Sequence, residues 1–178
     1  TVVIFGIFFM MIFAAGARFS HLLLVSLFGL GAGGALILQQ SYRLRRLLSF
    51  LDPMKDPKGD SWQVIQSLMA LGSGGLGLGR SRQKFFYLPE AHTDYIFAIL
   101  GEELGFIGAL LMLITFFFLG WRGYKIAMNT SDSYGSLVAV GITSWLVLQA
   151  VINIGVVTST IPATGITLPF MSSGGSSL

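Results

Sequence analysis

The sequence predicts an all-α polytopic membrane protein, a bundle of four transmembrane helices with one long polar loop. Three observations predict it. Of 178 residues, 53% are hydrophobic and only 11% are charged, a membrane composition. The apolar residues fall in four stretches, at about 1–15, 20–39, 95–121 and 135–157. Glycine is abundant, at 23 residues, and it is commoner in membrane helices than in soluble ones.

Residues 1–15 are continuously apolar but shorter than the roughly 20 residues a span needs. The chain opens there at Thr1, without Met, and stops at Leu178 after a Gly-Ser loop. The expectation is a piece of a larger polytopic protein. The second stretch holds Gly29, Gly31, Gly33 and Gly34, small residues that allow close helix packing. His21 reads as interfacial. The third stretch carries Gly101 and Gly105 at small-xxx-small spacing, with Glu102 and Glu103 between them. Charges are costly inside a bilayer, so that Glu pair should face protein or a wet cavity. Trp121, Arg122 and Lys125 read as interfacial anchors. The fourth stretch places Gln149 and Asn153 four apart on one face, as glue between helices.

Residues 40–93 are polar. Tyr42 to Arg46 is basic and amphipathic, suited to head groups. Trp62, Ile65, Leu68 and Met69 recur at helical spacing, with Gln63, Gln66 and Ser67 opposite, which predicts a short amphipathic helix. Residues 158–177 form a second loop, too apolar at 166–171 for a solvated one. This loop is expected to dip back against the membrane, which irregular backbone does only when buried in protein or lining a cavity.

The chemistry concentrates in Lys84 to Gly105. If a helix starts at Pro89, Glu90 and Asp94 share a face. A solvated, negatively charged helix cap explains the pattern as readily as an active site. Arg80, Arg82 and Lys84 are clustered donors of the kind that suits phosphate or diphosphate, although taken alone they read first as a generic basic membrane-surface loop. Glu90, His92 and Asp94 include two carboxylates suited to Mg²⁺ or Mn²⁺. The string Gly72-x-Gly74-x-x-Gly77 lacks the strand that a dinucleotide fold requires. The Ser-rich end from Ser172 has no partner base. Cysteine is absent, which excludes disulfides and thiolate metal sites. The net charge of +3 comes with no nucleic-acid motif. Eight of the eleven Lys and Arg residues lie between Arg43 and Lys84, which a naive count would put in the cytoplasm. Arg18 and the Arg122/Lys125 pair beside the spans support the opposite choice, so counting alone leaves the orientation open.

Several strings together resemble the SEDS family (shape, elongation, division and sporulation; FtsW, RodA and SpoVE). They are Asp52-Pro53, Gln66-Ser67-Leu68, Gly72-Ser73-Gly74-Gly75, the run Gln83 to Asp94, Gly101 to Gly105, and Pro162 to Leu178. The chain is most similar to the FtsW/SpoVE branch. It departs by lacking a few residues after Gly75, and by Thr167 and Ser173 where proline and an aromatic are usual.

The resemblance implies about ten membrane helices, of which this chain supplies the sixth to ninth, in the bacterial cytoplasmic (inner) membrane. It places 40–93 and 158–177 outside the cytoplasm, against the naive charge count. It implies a peptidoglycan glycosyltransferase that polymerises lipid II, during division, cell-shape control or sporulation. The implied partners are a class B penicillin-binding protein and other divisome or elongasome membrane proteins. Asp94 of His-Thr-Asp carries over as the catalytic residue. Lys84, Arg80, Arg82, Glu90 and His92 are the expected substrate-binding residues, with Mg²⁺ or Mn²⁺ as a cofactor. From residues alone, a lipid II flippase and a non-catalytic scaffold of the division machinery stand beside the enzyme. A flippase would move lipid without forming polymer. A scaffold would tolerate changes at Asp94 and Lys84.

Overall fold

The computed structural model describes residues 2–39, 50, 62–75 and 94–172. All regular structure among them is helical: α1 (Val2–Ala14), α2 (Phe19–Leu38), α3 (Trp62–Ser73), α4 (Ile96–Asn129) and α5 (Ser133–Val157). α4 and α5 are long and apolar enough to cross a membrane. Many large apolar side chains on α1, α2, α4 and α5 point outward, as they do when the surrounding solvent is lipid.

Local chemistry sets the ends of these helices. α1 closes in a Schellman turn, in which Gly16 N–H bonds Phe13 O and Ala17 N–H bonds Ile12 O. Gly16 takes φ +78° there, a left-handed conformation that glycine adopts without penalty. α5 opens on Asp132, whose Oδ2 accepts the Gly135 N–H at 2.7 Å, a side-chain N-cap. α5 ends in a second Schellman pattern, Ser159 N–H to Val156 O and Thr160 N–H to Gly155 O, with Ser159 at φ +56°.

The chain divides into two compact units. One comprises Thr1–Ser41 and Thr115–Leu148, the other Tyr42–Ile114 and Gln149–Leu178. In the first unit, small residues set the helix contacts. A Cβ on Gly29 would run into the Phe5 ring, and one on Gly120 would lie 2.9 Å from Val147 Cγ2. Gly31, Gly33 and Gly34 have open space instead, so of the four glycines expected to pack α2, only Gly29 does. Tyr124 Oη and Ser144 Oγ share a hydrogen bond at 3.0 Å. His21 is exposed, and Lys125 Nζ sits 5.3 Å from the Trp121 ring centroid, a cation–π distance.

The second unit is built on α3, the start of α4 and the end of α5. The expected short helix is present, and its apolar stripe is split: Trp62 and Ile65 are half-buried, Leu68 is 41% and Met69 54% exposed, while Val64, Gln66, Ser67 and Ala70 are buried. The reason is size and hydrogen bonding. Ser67 Oγ reaches Val64 O at 2.8 Å and Val157 O at 3.2 Å, which brings α3 close to the end of α5.

α4 is not one continuous helix. Gly105 has φ 64° and ψ −162°, a conformation essentially restricted to glycine. The break releases the Phe106 N–H from the helix ladder, and it donates to Gly75 O at 2.9 Å. Gly105 is therefore a hinge in the backbone rather than half of a helix-packing pair. Gly101 does pack. A Cβ there would meet Leu71 Cδ2 at 2.7 Å, and a Cβ on Gly74 would collide with the Gly101 carbonyl.

Candidate functional site

Asp94 lies in a turn at the head of α4; Pro89, the expected helix start, lies outside the described residues. The first α4 bonds run from Ala98 N–H and Ile99 N–H to Tyr95 O, so Tyr95 is the N-cap and Asp94 precedes it. Tyr95, Phe97, Ala98 and Ile99 are buried. They hold this end of α4 in the unit while Asp94 itself stays partly exposed.

The residue that fixes Asp94 is Asn153, on α5. Its Nδ2 donates to Asp94 O and to Ile166 O, each at 2.7 Å. Asn153 is 1% exposed. Sequence reasoning assigned it to helix–helix glue; the structure gives it a more specific task, joining the mouth of α4 to the loop after α5. The signal was present in a lone amide four residues from Gln149 on an apolar helix.

Part of the loop after α5 is buried in the protein. Leu168 and Pro169 are buried, and Leu168 N–H donates to Ser172 Oγ at 2.9 Å. Gly165 takes φ +67°, and a Cβ built on it would lie 3.5 Å from Asp94 Oδ2. The carboxylate thus lies alongside Gly165. Two buried acceptors lack a partner in the same unit, Asn153 Oδ1 and Thr164 Oγ1. Deeper in α4, Glu102 is fully buried and Glu103 partly so, and both carry polar interactions. The pair faces protein, as its cost in lipid requires.

Of the residues expected at the site, only Asp94 is described. Lys84, Arg80, Arg82, Glu90 and His92 lie outside the described residues, as do the Asp52-Pro53 turn and the Tyr42 to Arg46 segment. Among the described residues no three His, Cys, Asp or Glu side chains come together as a metal cluster. The arrangement offers a carboxylate on a partly exposed residue whose backbone Asn153 holds, with a glycine beside it. Such a group can accept a proton from a hydroxyl brought within hydrogen-bond reach.

The model of the cell cycle protein family FtsW/RodA/SpoVE matches residues 1–178, the whole chain. The chain belongs to this family. This chain is a membrane-helix protein of that family, with at least two helices of spanning length and only helices as regular structure among the described residues. It is 58% identical over 179 residues to stage V sporulation protein E of Bacillus subtilis (strain 168), covering 99% of this chain and 49% of that protein. It is 46% identical over 171 residues to a protein of Trichlorobacter lovleyi described as a probable peptidoglycan glycosyltransferase FtsW, covering 94% and 45%. Among solved structures it matches a chain from work on the structural coordination of polymerization and crosslinking by a peptidoglycan synthase complex. That match has TM-score 0.75 and 34% identity, over 99% of this chain and 50% of the other. The chain spans about half the length of the curated FtsW and SpoVE relatives it matches.

Proposed function

We propose that this chain is the part of a lipid II-polymerising peptidoglycan glycosyltransferase that carries its catalytic aspartate, Asp94. The observation that carries the proposal is the Asp94 turn, tied to α5 and to the returning loop through one buried amide. The names of its FtsW relatives support the reaction class.

In this reading Asp94 takes the proton from an acceptor sugar hydroxyl as that oxygen attacks the anomeric carbon of the donor. The bond from that carbon to undecaprenyl diphosphate breaks, and the diphosphate leaves with the electron pair. A carboxylate in hydrogen-bond reach is what the first step needs. Lys84, with Arg80 and Arg82, stabilises charge developing on the diphosphate. Mg²⁺ or Mn²⁺, held by Glu90, His92 and Asp94, would neutralise part of the same charge when bound. The polar segments 40–93 and 158–177 lie on the extracytoplasmic side of a single inner-membrane domain of four spans. A class B penicillin-binding protein supplies the crosslinking.

The test uses a full-length protein carrying this sequence, purified with such a partner and given lipid II and Mn²⁺ or Mg²⁺. Polymer from the parent and none from folded Asp94→Asn is the expected result. Long glycan from the variant sinks the assignment, and lipid movement without polymer from the parent turns the reading to a flippase.

A further inference from the structure

Asn153 sits in the apolar α5 with 1% of its surface exposed. Burying an amide there without partners costs about 1–3 kcal/mol, so its bonds decide its role. Both donor bonds go to main-chain carbonyls in non-helical stretches, at Asp94, 59 residues earlier, and at Ile166, 13 residues later. The amide orientation is dictated, because exchanging its O and N would set an oxygen against two carbonyl oxygens. The clamp grips the backbone of Asp94 and does not engage the carboxylate. Gly165, next to the second clamped carbonyl, brings its Cα alongside Asp94 Oδ2. One side chain therefore ties together the backbone that carries the carboxylate and the backbone beside it.

We propose that Asn153 is a positioning residue for Asp94: its amide locks the Asp94 backbone to the 158–172 segment and so fixes where the carboxylate stands. The proposal rests on the reading of Asp94 as the base. A base misplaced by about 1 Å loses on the order of a hundredfold in rate, whereas substrate affinity depends on groups elsewhere.

The experiment measures glycan polymerisation by the full-length protein with its penicillin-binding partner, over a range of lipid II concentrations. Asn153→Asp is the sharpest variant, since it keeps the shape and replaces both donor hydrogens by an oxygen. Asn153→Ala is run beside it, with Asp94→Asn as control, and thermal unfolding reports folding. The expected result for either folded Asn153 variant is a kcat lowered by about tenfold or more, with KM within about twofold of the parent. Parental turnover in a folded Asn153→Asp protein, with Asp94→Asn inactive, overturns this proposal alone. Activity in Asp94→Asn overturns the base reading and the proposal with it. A raised KM at unchanged kcat would make Asn153 part of the substrate site, and failure of both variants to fold would make it scaffold. Either result overturns a positioning role.

Discussion

The backbone N–H of Phe106 donates to the carbonyl of Gly75 at 2.9 Å, across a break in α4 that Gly105 alone makes possible. At φ 64° and ψ −162° any side chain is strained, by about 1–3 kcal/mol. Gly105→Ala should therefore either lose that much stability or straighten the helix and give up the Gly75 bond. Thermal unfolding in detergent gives the first reading. Hydrogen exchange at the Phe106 amide gives the second. A variant as stable as the parent with Phe106 still protected would rule out the strain argument.

Gly72 and Gly74 are two residues apart and should respond in opposite ways. Gly72 has nothing within 4 Å of an added Cβ, whereas at Gly74 that atom collides with the Gly101 carbonyl, a backbone group that cannot swing aside. Gly72→Ala should be neutral, or stabilising by up to about 1 kcal/mol, because alanine suits a helix interior better. Gly74→Ala should destabilise by about 1–3 kcal/mol, the usual range for overpacking. Unfolding midpoints of the two single variants decide it, and equal midpoints contradict the contact.

α3 offers a test of which face is inside. Ser67→Leu puts a large side chain where α3 meets Val157 O and should cost about 1–3 kcal/mol. Leu68→Gln changes an exposed position and should stay within about 0.5 kcal/mol in detergent. The reverse order of stabilities would restore the stripe of Trp62, Ile65, Leu68 and Met69 as the buried face.

How far the sequence could be read depends on which solvent rule applied. The long apolar helices and the buried Glu102 follow from the cost of polar groups in lipid, and both were legible. The buried face of α3 was not, because helical spacing does not show that Ser67 will reach the carbonyl of Val157. Gly101 and Gly105 look alike as a spacing pattern. Only backbone angles separate a packing glycine from one that breaks a helix. Asn153 was legible as a polar residue needing partners, but its partners are loop carbonyls, and nothing in a helical spacing names those. Asp94 was found through the motif around it.

Gly165 gives the last prediction. Its φ of +67° penalises a side chain by roughly 1–2 kcal/mol. Its added Cβ would stand 3.5 Å from Asp94 Oδ2, an ordinary contact that need not push the carboxylate. It would, however, take up space next to the oxygen that the proposed reaction needs open to a sugar hydroxyl. Gly165→Ala should therefore lose more activity than its stability loss explains. We expect a fall in polymerisation of about tenfold or more in a protein that still unfolds cooperatively. The paired variant Gly165→Asn separates the two effects, since asparagine tolerates left-handed backbone better than alanine but blocks the oxygen more. Strain alone predicts that Asn outperforms Ala in both stability and turnover. Blocking predicts a more stable protein that polymerises no better, and turnover tracking stability across both variants would count against any role for the space beside Asp94.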